Sequence, residues 1–213
     1  MFVCFEGIDG AGKSTQARML VQALKSRGVE AELVADPGTT QIGTAIRQIL
    51  LHNDAPISTA AQMLLFSAAR AELAGYIKAR LTAGVTVVCD RWLLSTLVYQ
   101  GELNGIDPDF ILTVFQQTSN LTPDLCFLLD LPPEQSAART GPGRDRYERV
   151  TDETRQRMRA AYLRFSHADP TAESCARQLW LINAEQPADV IHDLVLVSYE
   201  ALSQESECSK VST

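Results

Sequence analysis

Histidine is scarce, with only His52, His167 and His192 in 213 residues, and such wide spacing suggests no metal site. Cysteine is odd in number and scattered (Cys4, Cys89, Cys126, Cys175, Cys208), without any C-x-x-C pair. That pattern argues against a disulfide framework and points to a reducing compartment, with Cys4, Cys89 and Cys126 buried in strands. No apolar run approaches the length of a membrane span. The opening MFVCFEGI lacks a basic cluster ahead of its apolar residues, so no secretion signal is expected. A cytoplasmic protein without membrane contact is the expectation. Excess positive charge is missing too: the net charge is -7. A nucleic-acid binder normally carries a basic footprint, so no nucleic-acid partner is expected.

What is there suits one folded unit. Hydrophobic residues make up 46% and charged residues 21%, ordinary globular values. Short apolar runs (MFVCF, AELVA, VTVVCD, DLCFLLD, LWLIN) read as about five strands, MFVCF as a buried parallel one. Between them lie helical patterns. Ala17, Leu20, Val21 and Leu24 recur at helical spacing up to Gly28; further helices are predicted over 40–52, 58–82, 93–102, 108–120, 152–166 and 187–203. Ser58 is the expected cap of the longest helix, with Gly84 past its end. The alternation implies an α/β fold: a parallel sheet with helices on both faces and ligands at the strands' carboxyl ends. Residues 1–203 are expected to form a single domain, with 204–213 a disordered polar tail. The sequence shows neither internal repeats nor a domain linker.

One stretch carries specific chemistry. FEGIDGAGKST reads G-x-x-x-x-G-K-S, with Gly7, Gly12, Lys13 and Ser14 at the fixed places. Glycines let backbone N–H groups crowd around phosphate oxygens, and the following helix N-terminus adds favourable electrostatics. Lys13 is expected on the β- and γ-phosphates and Ser14 on Mg²⁺. Gly7, Ile8, Asp9, Gly10, Ala11, Gly12, Lys13, Ser14 and Thr15 form the predicted ATP-binding loop. Asp90, closing a strand, is a further Mg²⁺ candidate. Because the loop follows a strand and opens a helix, a P-loop kinase fold is expected.

A loop of this kind leaves the phosphate acceptor undefined. No N-K-x-D segment is present to read guanine. In LLFSAARAE, Phe66 and Arg70 are four apart and share one helix face. A ring can stack on a base while guanidinium donors reach a carbonyl; a core ring and a surface ion pair are the plainer alternative. Arg91 follows Asp90 and suits a phosphate, or a carboxylate across the crevice. Ser95, Thr96, Tyr99 and Gln100 lie within a turn or so and offer polar contacts to a base or sugar.

Taken together, the motifs resemble the thymidylate kinase family over almost the whole chain. FEGIDGAGKST, DPGTT, LLFSAAR, DRWLLSTLVYQGELNGID, PDLCFLLDLPPE, GRDRYE and INAEQP occur in the family's order. The resemblance implies transfer of the ATP γ-phosphate to dTMP, with Mg²⁺, in a homodimer packed through helices such as 58–82. It places Phe66 on thymine, Arg70 on a base carbonyl, and Arg91 on the acceptor's 5′-phosphate. Thr96 and Gln100 lie near the base, and Tyr99 lies against the deoxyribose. Asp9 sits near the acceptor's 3′-hydroxyl and phosphate. Ser95, Asp36, Asp145 and Tyr147 complete the implied acceptor contacts. Ala184 and Gln186 border the donor's adenine, and Glu148 is an implied metal contact. Position 10 is Gly rather than Arg, so the resemblance assigns the catalytic cations to a mobile lid over about 139–150, with Arg139, Arg144 and Arg146 as candidates.

The turn DPGTT departs from the family's usual EPGGT: Asp36 is a methylene shorter than Glu, and Thr39 replaces a glycine. That leaves open how this turn meets the acceptor or Arg91. A nucleoside monophosphate's second pKa is near ~6, so its attacking oxygen needs no base at neutral pH. A deoxynucleoside kinase would need one, and Asp90 beside Arg91 can be read that way. A nucleotide-binding protein without turnover is the third alternative.

Overall fold

The computed structural model describes residues 1–52, 55–140, 147, 150–167 and 172–211, without side chains at 167, 172 and 206–211. Five parallel strands form one sheet in the order β2-β3-β1-β4-β5: β1 (Phe2–Glu6), β2 (Ala31–Ala35), β3 (Thr86–Asp90), β4 (Leu125–Asp130) and β5 (Gln178–Asn183). All five coincide with predicted strands. Every residue of β1 is buried, as the unbroken apolar run requires of a central parallel strand. Cys4 pairs in register with Cys89 on one side and Cys126 on the other, and all three are buried free thiols.

Helices cover both faces: α1 (Lys13–Ser26), α2 (Gln41–His52), α3 (Thr59–Thr82), α4 (Leu93–Thr96), α5 (Pro108–Thr118), α6 (Pro133–Thr140), α7 (Asp152–His167), α8 (Ala172–Cys175) and α9 (Ala188–Val211). Ala17, Leu20, Val21 and Leu24 are the buried stripe of α1, as their spacing predicted. Ser58 caps α3 by accepting from the Ala61 amide. Asp107 does the same for α5, its carboxylate accepting from the Asp109 amide at 3.0 Å. Phe5 and Phe127 stack across β1 and β4 with ring centroids 5.2 Å apart, near the middle of the core. Among the described residues no helix is long and apolar enough to cross a membrane.

Three features differ from expectation. The segment after α4 winds as a π-helix over Leu97–Leu103, a geometry that short-range periodicity cannot distinguish from an α-helix. The eight-residue α6 was not predicted; it is short and polar, with Pro133 at its start as the main signal. Helix α9 continues to Val211, eight residues past the predicted end, so most of the expected tail is helical. Of the expected lid, Arg144, Asp145, Arg146 and Glu148 lie outside the described residues.

Candidate active site

The P-loop joins β1 to α1 at the carboxyl edge of the sheet. Gly7 has φ 135°, and a Cβ there would lie 2.5 Å from the Leu129 carbonyl oxygen, so only glycine fits. Gly12 (φ 98°) heads α1 without any side-chain cap, leaving the helix's first N–H groups for a ligand. Lys13 is folded over the loop, 6% exposed, its Nζ donating to the Ile8 carbonyl at 2.8 Å and 3.9 Å from Asp9 Oδ1. Burial, aided by nearby Arg91 and countered by Asp9, pushes the Lys13 ammonium down to about 8. Ser14 Oγ donates to Asp90 Oδ2, so two of the three predicted metal residues meet directly.

Beside the loop, Gly10, Ala11 and Thr15 line an open recess with Gln186 and Arg139. Ala184 is fully buried, and its carbonyl accepts from Arg139 Nη1 at 3.1 Å. Arg139 belongs to α6, not to an extended lid, and also reaches the Gly10 carbonyl at 3.5 Å.

A second cavity opens next to the P-loop cleft. Phe66 on α3 faces Tyr147 edge-on at 5.7 Å, and Tyr99 in the π-helix faces Tyr147 at 6.1 Å. The three rings form an apolar wall, and Tyr147 is held by its hydroxyl donating to Gln62 Oε1 at 2.7 Å. In the same cavity, Arg70 is buried: Nε donates to Asp36 Oδ2 at 2.6 Å, and Nη2 donates to Thr96 Oγ1. Burial raises the Asp36 carboxyl's pKa, with Arg70 opposing. The turn of DPGTT thus meets Arg70 rather than Arg91. Thr39 closes it, its hydroxyl oxygen accepting from the Ala35 amide at 2.7 Å. Gln100 Nε2 and Asp36 Oδ1 are buried with no hydrogen-bond partner among the described residues. Buried orphans of this kind in a cavity wall mark places where a ligand supplies the partner.

Arg91 stands where the two cavities meet. It pairs with a carboxylate across the crevice, the second of the two expectations for it. Nη2 is ion-paired with Asp9 Oδ1 and lies 3.3 Å from the Tyr99 hydroxyl. Nη1 donates to Gly7 O, Ser95 Oγ and Tyr162 Oη at 2.9–3.1 Å. Burial raises Asp9's pKa, but Arg91 and Lys13 more than offset it, leaving that carboxyl below its usual value. Tyr99 donates to the other Asp9 oxygen at 3.0 Å.

Three residues at or behind this junction escaped the sequence reading. Arg47 of α2 lines both cavities and donates to the Pro37 carbonyl at 2.8 Å. Gly38 (φ 132°) makes room for it: a Cβ there would sit 2.9 Å from Arg47 Cδ. Tyr162 comes from α7, whose charged sequence carries no motif. Glu6 lay inside the phosphate-loop stretch, but its role depends on the neighbouring strand.

Comparison with known proteins identifies the family. The family model described as thymidylate kinase matches residues 5–195. Thymidylate kinase of Pelodictyon phaeoclathratiforme is 39% identical over 209 residues, covering 92% of this chain and 94% of that protein. The thymidylate kinase of Symbiobacterium thermophilum is 41% identical over 174 residues, covering 80% and 81% respectively. A crystal structure of thymidylate kinase from Ehrlichia chaffeensis aligns with a TM-score of 0.73 at 28% identity, covering 93% of this chain and 98% of that one.

Proposed function

The chain belongs to the thymidylate kinase family, enzymes that phosphorylate dTMP, and on that premise we propose how its residues divide the transfer. ATP gives its γ-phosphate to dTMP, yielding dTDP and ADP for dTTP synthesis. One observation carries the division: the P-loop cleft and the aromatic cavity share Asp9, Asp36, Pro37, Arg47 and Arg91. Two nucleotides, one in each space, would meet phosphate to phosphate at that shared wall.

ATP lies along residues 7–15, with its adenine in the recess bordered by Gln186 and Arg139. Lys13 exchanges the Ile8 carbonyl for the β- and γ-phosphate oxygens. In the other cavity Phe66 stacks on thymine, and Gln100 Nε2 finds its partner in a base carbonyl. Arg70 and Thr96, already bonded to each other, form the polar floor beside the base. Tyr99 lies against C2′ of the sugar. Arg91 and Arg47 hold the acceptor phosphate, whose oxygen is already ionised at neutral pH. Alignment and charge neutralisation then suffice for transfer.

Mg²⁺ fits the donor set at Ser14 and Asp90, two adjacent hard oxygen ligands. The described residues hold no cluster of three or more His, Cys, Asp or Glu suited to a metal. An ion held by two side chains and the ATP phosphates is the usual Mg²⁺ pattern. When bound, it would offset charge on the β- and γ-phosphates. Glu148, Arg144 and Arg146 keep their proposed lid roles, with Asp145 at the acceptor.

A homodimer is proposed through α2, α3 and α5, on which Ile42, Ile49, Leu64 and Phe110 expose apolar side chains. The composition and free buried cysteines support a cytoplasmic location. Offering dTMP, dUMP, other monophosphates and thymidine side by side with ATP tests the assignment. Turnover of dTMP is expected. Phosphorylation of thymidine with dTMP left untouched would instead favour a deoxynucleoside kinase. Asp90 speaks against that reading, because its carboxylate is tied to Ser14 on the donor side.

A further inference from the structure

Glu6, the last residue of β1, is fully buried yet lines neither nucleotide cavity. A buried carboxylate is costly unless well bonded. Its Oε1 accepts from the Trp92 and Ser95 amides at 2.8 and 3.1 Å, and its Oε2 accepts from Ser95 Oγ at 2.5 Å. Those amides belong to the start of α4, which has no cap from its own N-terminal side chain. The cap therefore comes from a neighbouring strand of the sheet, since β1 and β3 are paired.

Between β3 and α4 stands Arg91, with φ 73°, a left-handed conformation unfavourable for any residue but glycine. Its amide donates to the Phe5 carbonyl at 3.0 Å, just before Glu6. The backbone on both sides of Arg91 is thus bonded to consecutive residues of β1. The side chain is tied to the same place. Because Ser95 gives its only hydroxyl proton to Glu6, its lone pairs are left to accept from Arg91 Nη1 at 3.0 Å. The Nη1 edge of the guanidinium is anchored by this serine together with Gly7 and Tyr162. The Nη2 edge, now on Asp9 and Tyr99, is the one left at the junction of the cavities.

We propose that Glu6 is a positioning residue for the acceptor phosphate: it holds Arg91 in its left-handed turn and orients Ser95 to anchor one edge of the guanidinium. The other edge is thereby presented to dTMP. This rests on Arg91 being the acceptor-phosphate cation. A plain capping role would instead weaken the fold without distinguishing the two nucleotides.

Full-length Glu6→Gln, Ser95→Ala, Arg91→Ala and the double variants Glu6→Gln/Arg91→Ala and Ser95→Ala/Arg91→Ala test it. Affinities for dTMP and for a non-hydrolysable ATP analogue are measured separately by calorimetry. A glutamine side chain keeps the shape of Glu6, but its amide nitrogen cannot accept from the serine. Glu6→Gln and Ser95→Ala should each weaken dTMP binding roughly tenfold or more and change ATP-analogue binding by less than about twofold. On the Arg91→Ala background, Glu6→Gln should add less than about twofold, because the two residues act as one unit. Equal losses for both nucleotides, or a full Glu6→Gln effect in the absence of Arg91, would overturn the proposal. If Glu6→Gln does not fold, Ser95→Ala decides through the same cycle: an unchanged dTMP affinity, or a full loss that persists on the Arg91→Ala background, overturns it. Should Arg91→Ala itself leave dTMP affinity unchanged, the reading of the site fails and the proposal with it.

Discussion

Arg70 and Asp36 form an ion pair in the wall of the acceptor cavity, Nε to Oδ2 at 2.6 Å, with side chains 5% and 1% exposed. Such a pair is worth little against an apolar replacement, yet removing one partner strands the other charge at a cost of about 3–5 kcal/mol. Asp36→Ala and Arg70→Ala should each lower unfolding stability by that order, while the double variant loses less than their sum. Denaturant titration of the three variants measures the coupling; simple additivity would show that the pair is not one unit.

Tyr99 offers a ring to the sugar and a hydroxyl to Asp9 and Arg91. The two can be separated. Tyr99→Phe keeps the ring, so the preference for dTMP over its ribo counterpart should stay as in the wild type. Tyr99→Ala opens space for a 2′-hydroxyl and should erode the preference by roughly tenfold, the cost of burying a hydroxyl without a partner being about 1–3 kcal/mol. The ratio of kcat/KM values at matched folded concentration reads this directly, and an unchanged ratio in Tyr99→Ala rejects the sugar contact.

Ser14 and Asp90 are bonded to each other at the mouth of the P-loop. Asp90→Asn should raise the Mg²⁺ concentration needed for half-maximal rate by roughly 10–100-fold. A Mg²⁺ titration of the rate at saturating ATP shows it. A normal Mg²⁺ requirement would remove Asp90 from the metal site.

Arg139 is bonded to the Gly10 and Ala184 carbonyls on the donor side. Its alanine variant is expected to raise KM for ATP more than it lowers kcat. At least one of Arg144→Ala and Arg146→Ala is expected to act on kcat, by on the order of 10³-fold if it supplies the transition-state cation. Steady-state kinetics of the three variants separates the roles; the reverse pattern would assign the transition-state charge to Arg139.

Glu102 links the π-helix to α7 through Arg164 at 2.8 Å and Arg157 at 3.5 Å. The Arg164 hydrogen bond leads in holding its carboxyl below the ordinary glutamate value. A carboxylate depressed in the folded state stabilises it above the unfolded pKa, and that contribution disappears as pH falls through the folded value. Glu102→Gln should therefore cost up to about 1 kcal/mol at pH 7, as partly exposed pairs do, and less near pH 3. Unfolding curves of both proteins at the two pH values test it, and a pH-independent difference would mean the pair contributes only by packing.

The sequence alone determined the phosphate-binding loop, the strands and most helices, because these depend on short-range pattern, while the reaction class came from the order of motifs that resembles a known family. Gly7, Gly12, Lys13 and Ser14 act at fixed spacing along one loop, and Phe66 and Arg70 share a face through helical geometry alone. The runs of β1, β3 and β4 could be read because both faces of these inner strands are buried, whereas the edge strands β2 and β5 are only partly buried. The junction between the cavities was decided only by tertiary structure. Arg47 lies on a helix with no motif, and only a close approach to Gly38 brings it to the site. Asp36 meets Arg70 rather than Arg91 because α3 packs beside the β2 turn, a relation across 34 residues. Glu6 reaches Ser95 across 89 residues, since β1 lies beside β3 in the sheet. Chain-distant side chains acquire their partners only when strand order and helix packing set which edges face one another.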